Sequence, residues 1–274
     1  MQGDDPSPYE GVARGFDAIA ERYDDLVEAN PLHHSMREQS LQWLEEAFAP
    51  GERVLEVGCG LGTEAIHLGE RGVEVVATDV SSAMVAGARE RVQAAGQEGR
   101  VTVLRAAAGE LEAAVHNETF DGAFASFGPL NCEPDLRAAL ESIAFHLRPT
   151  APLLASVVSR PCISELAYGA SVFRFRKAFR RLSNVVEIDL YGAGPVSVRA
   201  YSEAEARTAL APWFTLRRLE GLLVALPPPY TVKAWEQLTA VHRPVEWLDR
   251  HLRHTWPFRG MGDHLHIWAT RHAE

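Results

Sequence analysis

The chain of 274 residues has only three cysteines, Cys59, Cys132 and Cys162. They are odd in number, and no pair has metal-ligand spacing. That argues against a disulfide framework and a cysteine metal site and leaves reduced thiols as the expectation. An excess of positive charge is also missing: 27 Lys and Arg face 37 Asp and Glu, a net charge of −10. A nucleic-acid partner demands a dominant basic surface, so no nucleic acid is expected to bind. No apolar run approaches the roughly 18 residues of a membrane span, and no basic, apolar leader opens the chain, so the expected location is cytoplasmic. Internal repeats and low-complexity tracts are absent as well. What is present is a hydrophobic content of 46%, enough to bury a full core in one large or two small domains.

The most informative stretch is VLEVGCGLG, from Val54 to Gly62, followed after one helix by VEVVATDVS with an acid at Asp79. An apolar strand runs into Gly58, Gly60 and Gly62, whose missing Cβ atoms let the backbone turn sharply and approach a ligand. In a doubly wound sheet such a junction lies at the carboxyl ends of the strands, and an acid closing the next strand can accept hydrogen bonds from a ribose. The dinucleotide fingerprint requires glycines at its first, third and sixth positions, but the sixth position counted from Gly58 is Thr63. Glu56 would also repel a pyrophosphate, whereas it suits a ligand carrying a sulfonium and an ammonium. No Gly-Lys-Ser/Thr follows, which excludes a P-loop.

With these motifs the chain resembles the class I S-adenosylmethionine-dependent methyltransferases, in particular the small-molecule branch of ubiquinone and menaquinone methyltransferases. The resemblance covers roughly Phe16 to Ser159. It implies S-adenosyl-L-methionine as cofactor, with Glu56, Gly58, Cys59, Gly60 and Gly62 around its methionine portion, Asp79 on the ribose, and Val80 and Met84 flanking adenine. Many relatives place an Asp that receives the adenine amino group where this chain has Ala107, leaving the Ala108 backbone to serve. FDGAFASFGPLN resembles the fourth motif, with Ser126, Phe127 and Gly128 beside the reacting centre. The segment FDAIAERYDD matches one that folds over the cofactor, making Tyr23 a candidate lid residue. Cys59 reads either as a small buried filler or as a reactive thiol.

Helical periodicity marks a pair of helices between Tyr9 and Ala47, interrupted near Asn30-Pro31. Strands and helices then alternate to Ser159, which predicts an α/β fold with a parallel sheet wound on both faces. The resemblance implies seven strands, mostly parallel, with the last running antiparallel between the fifth and sixth. Residues 160–183 read as helical, a polar turn follows at Tyr191, and Ser202 caps a helix. A strand is expected from Phe214 to Val224, further helix from Val232 to Leu252, and a final strand from His264 to Thr270. Four parts are expected: N-terminal helices forming a lid (1–48), the cofactor-binding core (49–159), a helical cap insertion (160–213), and C-terminal strands with a second cap insertion (214–274).

Both insertions begin at the ligand edge, and so does an antiparallel last strand, so Asp263 and His264 are expected at the lip of the site. The cap aromatics Phe173, Phe175, Phe179, Tyr191, Tyr201, Trp213, Tyr230 and Trp235 offer a wall for an apolar acceptor. Arg174, Arg176, Lys177, Arg180 and Arg181 form a local basic cluster that could grip an anionic group, rest on an acidic membrane as a peripheral contact, or be a solvated face. Methyl transfer from a sulfonium is an in-line displacement dominated by positioning. Where a proton must leave, His264, His33 and His34 are the candidate bases, with Tyr230 and Asp263 behind them; His266 lies deeper on the same strand face. The expected activity is methyl transfer to a small-molecule or lipid-like acceptor at oxygen, nitrogen or carbon. The rival readings are an idle S-adenosylmethionine-binding regulator and a nicotinamide-dependent oxidoreductase.

Overall fold

The computed structural model describes residues 7–171, 173, 179–183, 185–190, 192 and 194–273. Side chains of β1 (Arg53–Val57) alternate between two apolar layers, as the pleat of a strand dictates. Val54 joins Trp43, Leu68 and Phe124 on one side. Leu55 and Val57 join Leu111, Leu140 and Ile143 on the other. Both faces are buried, which suits a parallel sheet covered by helices. β1 pairs in parallel with β2 (Glu74–Asp79) and with β4 (Gly122–Ala125). β3 (Val101–Arg105) extends the sheet beyond β2, and β5 (Pro152–Val158) extends it beyond β4. The last strand, β9 (His264–Arg271), runs antiparallel to β5 and to β8 (Phe214–Leu222), giving the order β3-β2-β1-β4-β5-β9-β8. This is the expected doubly wound, mostly parallel seven-stranded sheet with its last strand antiparallel.

Helix ends are set by local chemistry. Asn30 accepts the Leu32 N–H at 3.0 Å and Pro31 takes the first helical position, so α2 (Pro31–Ala47) starts where its interruption was expected. The Ser81 hydroxyl accepts the Met84 N–H at 3.1 Å to start α4 (Ser82–Ala94). Ser202 and Glu205 cap each other's ends in the helix Glu203–Leu210. α1 (Glu10–Asp17), α3 (Thr63–Glu70), α5 (Leu111–Val115) and α6 (Leu136–Phe145) stand before the cap, and α7 (Ile163–Ser171) opens it. No helix among the described residues is long and apolar enough to cross a membrane.

Three details differ from the sequence expectation. The cap insertion is not all helical: β6 (Val185–Asp189) and β7 (Pro195–Arg199) form a two-stranded antiparallel hairpin. Its β-branched residues alternate, with Val186, Val196 and Val198 buried. Residues 232–252 are two helices, Val232–Glu236 and His242–Leu252, broken by a turn. The short α5 had no sequence signal. The hairpin packs against α1 so closely that a Cβ on Gly15 would lie 2.6 Å from Val196 Cγ2. Ile19, Val186, Leu190, Val196 and Val198 share one small core with Leu61 and Met84. The N-terminal helices and the hairpin therefore make a joint roof.

Candidate active site

At the carboxyl end of β1 the chain turns through Gly58, at φ +71°, and Gly60, at φ +53°, where a side chain is strained. A Cβ on Gly58 would fall 2.2 Å from Pro129 Cβ. One on Gly60 would lie in van der Waals contact with Tyr23, 3.9 Å from its hydroxyl. The Gly58 and Cys59 N–H groups donate to the Thr78 carbonyl at 2.7 and 2.9 Å. Asp79 braces the same loop: its Oδ2 accepts from Gly60 N at 2.9 Å and its Oδ1 from Ser81 N at 2.9 Å. Burial pushes this carboxyl up to about 6, against the opposing pull of its backbone donors.

Around the loop lies a cavity whose enclosed and open space together come to about 1070 Å³. Its floor is Gly58, Cys59 and Gly60; Asp79 and Val80 close one side. Ala107 and Ala108 form the next wall, and Ser126, Phe127 and Gly128 the wall at the end of β4. Val12, Phe16 and Tyr23 roof it from the N-terminal segment, Ile188 and Val198 from the hairpin. Eleven of the fourteen residues expected at the cofactor thus line one cavity. The other three stand behind it. Gly62 caps α3, Met84 is fully buried in the roof core, and Glu56 is sealed beneath the loop.

The floor is acidic. Glu56 is completely buried, and its Oε2 finds no hydrogen-bond partner among the described residues. Burial, with Glu64 and Asp79 nearby, raises its carboxyl well above the usual range, against the pull of Arg37. The Arg37 Nε donates to Glu64 Oε1 at 2.8 Å. Cys59 is buried and its thiol is pushed up by that burial and by Glu56, which marks it as an inert filler.

Phe127 is held at φ +60°, a conformation rare for a non-glycine residue, with its N–H on Ser156 Oγ at 2.6 Å. Behind the next residue stands His264, whose Nε2 lies 3.8 Å from the space a Cβ on Gly128 would take. Its Nδ1 is 2.8 Å from Asp263 Oδ2, close but outside hydrogen-bond geometry. Asp263 pairs in turn with Arg181, whose Nη2 lies 2.5 Å from Oδ1, and Arg181 also pairs with Glu165. Burial alone would raise the Asp263 carboxyl, yet Arg181 and then His264 hold it well below the usual carboxylate range. Tyr230 sits outside the cavity wall. Its hydroxyl donates to Glu165 Oε1 at 3.0 Å, beside Arg180, which pairs with the same carboxylate at 2.7 Å.

The other histidines are elsewhere. His34 is exposed, 3.5 Å from Glu38, and His33 is half-buried on α2. His266 stacks on Trp43 at 3.8 Å, and burial drops its imidazole to about 3, so it is a neutral core residue. Arg174, Phe175, Arg176, Lys177 and Tyr191 lie outside the described residues. Sequence reasoning missed Tyr9, Glu133 and Asn131, which also line the cavity. Asn131 donates to Arg199 O at 2.6 Å and accepts from Val158 N at 2.9 Å, fastening the hairpin to β5. Glu133 accepts from Ala108 N at 3.0 Å and from the Tyr9 hydroxyl at 2.8 Å. No local motif announces such long-range partners.

Comparison with known proteins agrees with this geometry. A family model described as a methyltransferase domain matches residues 54–150. A demethylmenaquinone methyltransferase of Mycobacterium sp. strain KMS is 30% identical over 234 residues, covering 81% of this chain and 94% of that protein. One of Beutenbergia cavernae is 35% identical over 161 residues, covering 57% of this chain and 61% of its own length. Among solved structures, an S-adenosylmethionine-dependent methyltransferase from Mesorhizobium loti superposes with a TM-score of 0.56 at 19% identity, over 88% of this chain and all of that one.

Proposed function

We propose that this chain, which belongs to the class I S-adenosylmethionine-dependent methyltransferase family, methylates a small apolar or lipid-like acceptor admitted beneath the lid of the N-terminal helices and the β6–β7 hairpin. Membership makes the protein an enzyme with S-adenosylmethionine as its cofactor. One observation carries the finer reading: the cavity has a glycine and carboxylate floor but an apolar roof of Val12, Phe16, Ile188 and Val198. The floor suits the cofactor. Asp79 presents a buried carboxylate to a ribose, and Gly60 carries no Cβ to intrude on the ligand. When bound, S-adenosylmethionine supplies a methyl group on a sulfonium that a nucleophile can displace in line.

The remaining work falls to the chain's own residues. Phe127 and Gly128 form the wall against which an acceptor would lie, and the roof excludes water and orients it. Positioning of this kind is worth on the order of 7 to 11 kcal/mol. His264, with Nε2 behind Gly128 and Nδ1 against Asp263, is the group suited to take a proton from a phenol or enol. Asp263 and Arg181 orient it, and Tyr230 supports Glu165 from outside. Similarity to proteins named demethylmenaquinone methyltransferase supports an acceptor of that chemical kind.

The test is product analysis by mass spectrometry with methyl-labelled S-adenosylmethionine and a panel of demethylmenaquinone-like compounds, simple phenols and polar amines. Label is expected in the apolar aromatic acceptors, and transfer only to polar amines would refute the acceptor class. His264→Ala should lower kcat by 10² to 10⁴ with cofactor affinity within about threefold. A smaller loss, or full recovery in His264→Gln, which cannot take the proton, would leave it an orienting group at most.

A further inference from the structure

We propose that Glu133 reads the adenine end of the cofactor, accepting its exocyclic amino group in place of the acid missing at Ala107. The inference rests on the assignment of the cavity to S-adenosylmethionine. Glu133 comes from the turn before α6, far in sequence from the third motif, yet its carboxylate is bonded to the N–H of Ala108, one residue after the vacant position. It lines the same cavity wall as Ala106, Ala107, Ala108 and Asp79. A carboxylate accepts up to four hydrogen bonds. Ala108 N, Tyr9 Oη and the Gly109 N–H draw on three of these, which leaves one for a ligand.

Buried carboxylates are costly unless their lone pairs are met, and here three fixed donors hold the group in a set orientation. Tyr9 stands at the start of α1, so the roof itself aims the carboxylate. An adenine amino group presents N–H to this acceptor. A hypoxanthine presents a carbonyl oxygen at the same position, and two acceptors then face each other without a proton between them. The residue would therefore choose the purine as well as bind it. A purely structural Glu133, capping the turn at 108–110, would serve both purines alike.

Calorimetry with S-adenosylhomocysteine and S-inosylhomocysteine separates these roles without turnover. The intact enzyme should prefer the adenine compound by at least tenfold, the scale of one hydrogen bond to a charged group. Glu133→Gln, whose amide can accept from one purine and donate to the other, should narrow the ratio to within about threefold. Tyr9→Phe, which keeps the carboxylate, should preserve the preference. A ratio below threefold in the intact enzyme overturns the proposal with no variant needed. So does an unchanged ratio in Glu133→Gln, or an equal loss of discrimination in Tyr9→Phe. If the intact enzyme binds neither compound, the cofactor assignment itself fails; if it binds the adenine compound and Asp79→Ala weakens it, that assignment stands whatever the ratio does.

Discussion

Replacing Arg181 with Met is expected to destabilise the protein severely, and the size follows from what surrounds it. The guanidinium is buried, with its side chain 9% exposed, between Glu165 and Asp263, each 5% exposed or less. Its removal leaves Asp263 buried with only the His264 contact, while Glu165 keeps Arg180. Breaking a buried pair by deleting one partner typically costs 3 to 5 kcal/mol, because the other charge is stranded. At about 2 to 4 °C per kcal/mol for a chain of this size, the melting temperature should fall on the order of 10 °C. The pH dependence has a definite sign. In the intact protein burial would raise the Asp263 carboxyl, but Arg181 and His264 depress it below the usual range. A depressed carboxyl contributes stability above its unfolded value and loses it only as pH falls through the folded one. Between pH 5 and 8 the intact protein keeps this contribution. Without Arg181, burial prevails, the folded carboxyl rises, and protonation relieves the cost. The deficit of Arg181→Met should therefore be greatest at pH 8 and shrink toward pH 5. Urea unfolding across that range measures it, and Arg181→Met/Asp263→Leu should recover part of the loss. A deficit under about 1 kcal/mol at pH 7.5, or one independent of pH, would refute the reasoning.

Two further outcomes are expected of the glycine loop. Asp79→Ala should weaken S-adenosylmethionine binding by more than tenfold in calorimetry, from lost hydrogen bonds of about 1.5 to 3 kcal/mol each and from release of the Gly60 N–H that it braces. Unchanged affinity with an intact fold would mean the ribose lies elsewhere. Gly58→Ala must place a Cβ 2.2 Å from Pro129 at a φ of +71°. It should lower the melting temperature measurably and abolish cofactor binding at micromolar concentrations, and a variant that binds normally would show that the two turns slide apart freely.

The core was legible because its signals are local. β1, its three glycines and Asp79 lie within one strand, helix and strand unit, so spacing along the chain already implies spacing in the fold. Ser81, Asn30 and Ser202 mark helix starts by contacts two or three residues long. The hairpin was missed for a different reason. Val185, Val186, Ile188, Val196 and Val198 have strand chemistry, but two strands outside the main sheet gain meaning only by packing on α1, more than 160 residues earlier. Glu133 fails the same test: its partners are 25 and 124 residues away.

Arg180 and Arg181, the described end of the basic segment before β6, show how partners distant in sequence change what a charge can do. In the sequence, Arg180 and Arg181 belong to a run that reads as a free cationic face in an acidic protein. In the fold, Arg180 pairs with Glu165 and lies 5.1 Å over the Tyr230 ring, and Arg181 is enclosed by Glu165 and Asp263. A cation that has already met two buried carboxylates has little attraction left for an external anion. The acids that neutralise it lie 16 residues before and 82 after, so no window of the sequence contains the balance of charge. Arg181 instead ties the cap to Asp263, the residue that leads into β9. The residue orientated by that tie, through Asp263, is His264. Strand direction alone sends this residue to the end of β5 beside Gly128, and only the fold shows the buried arginine behind it.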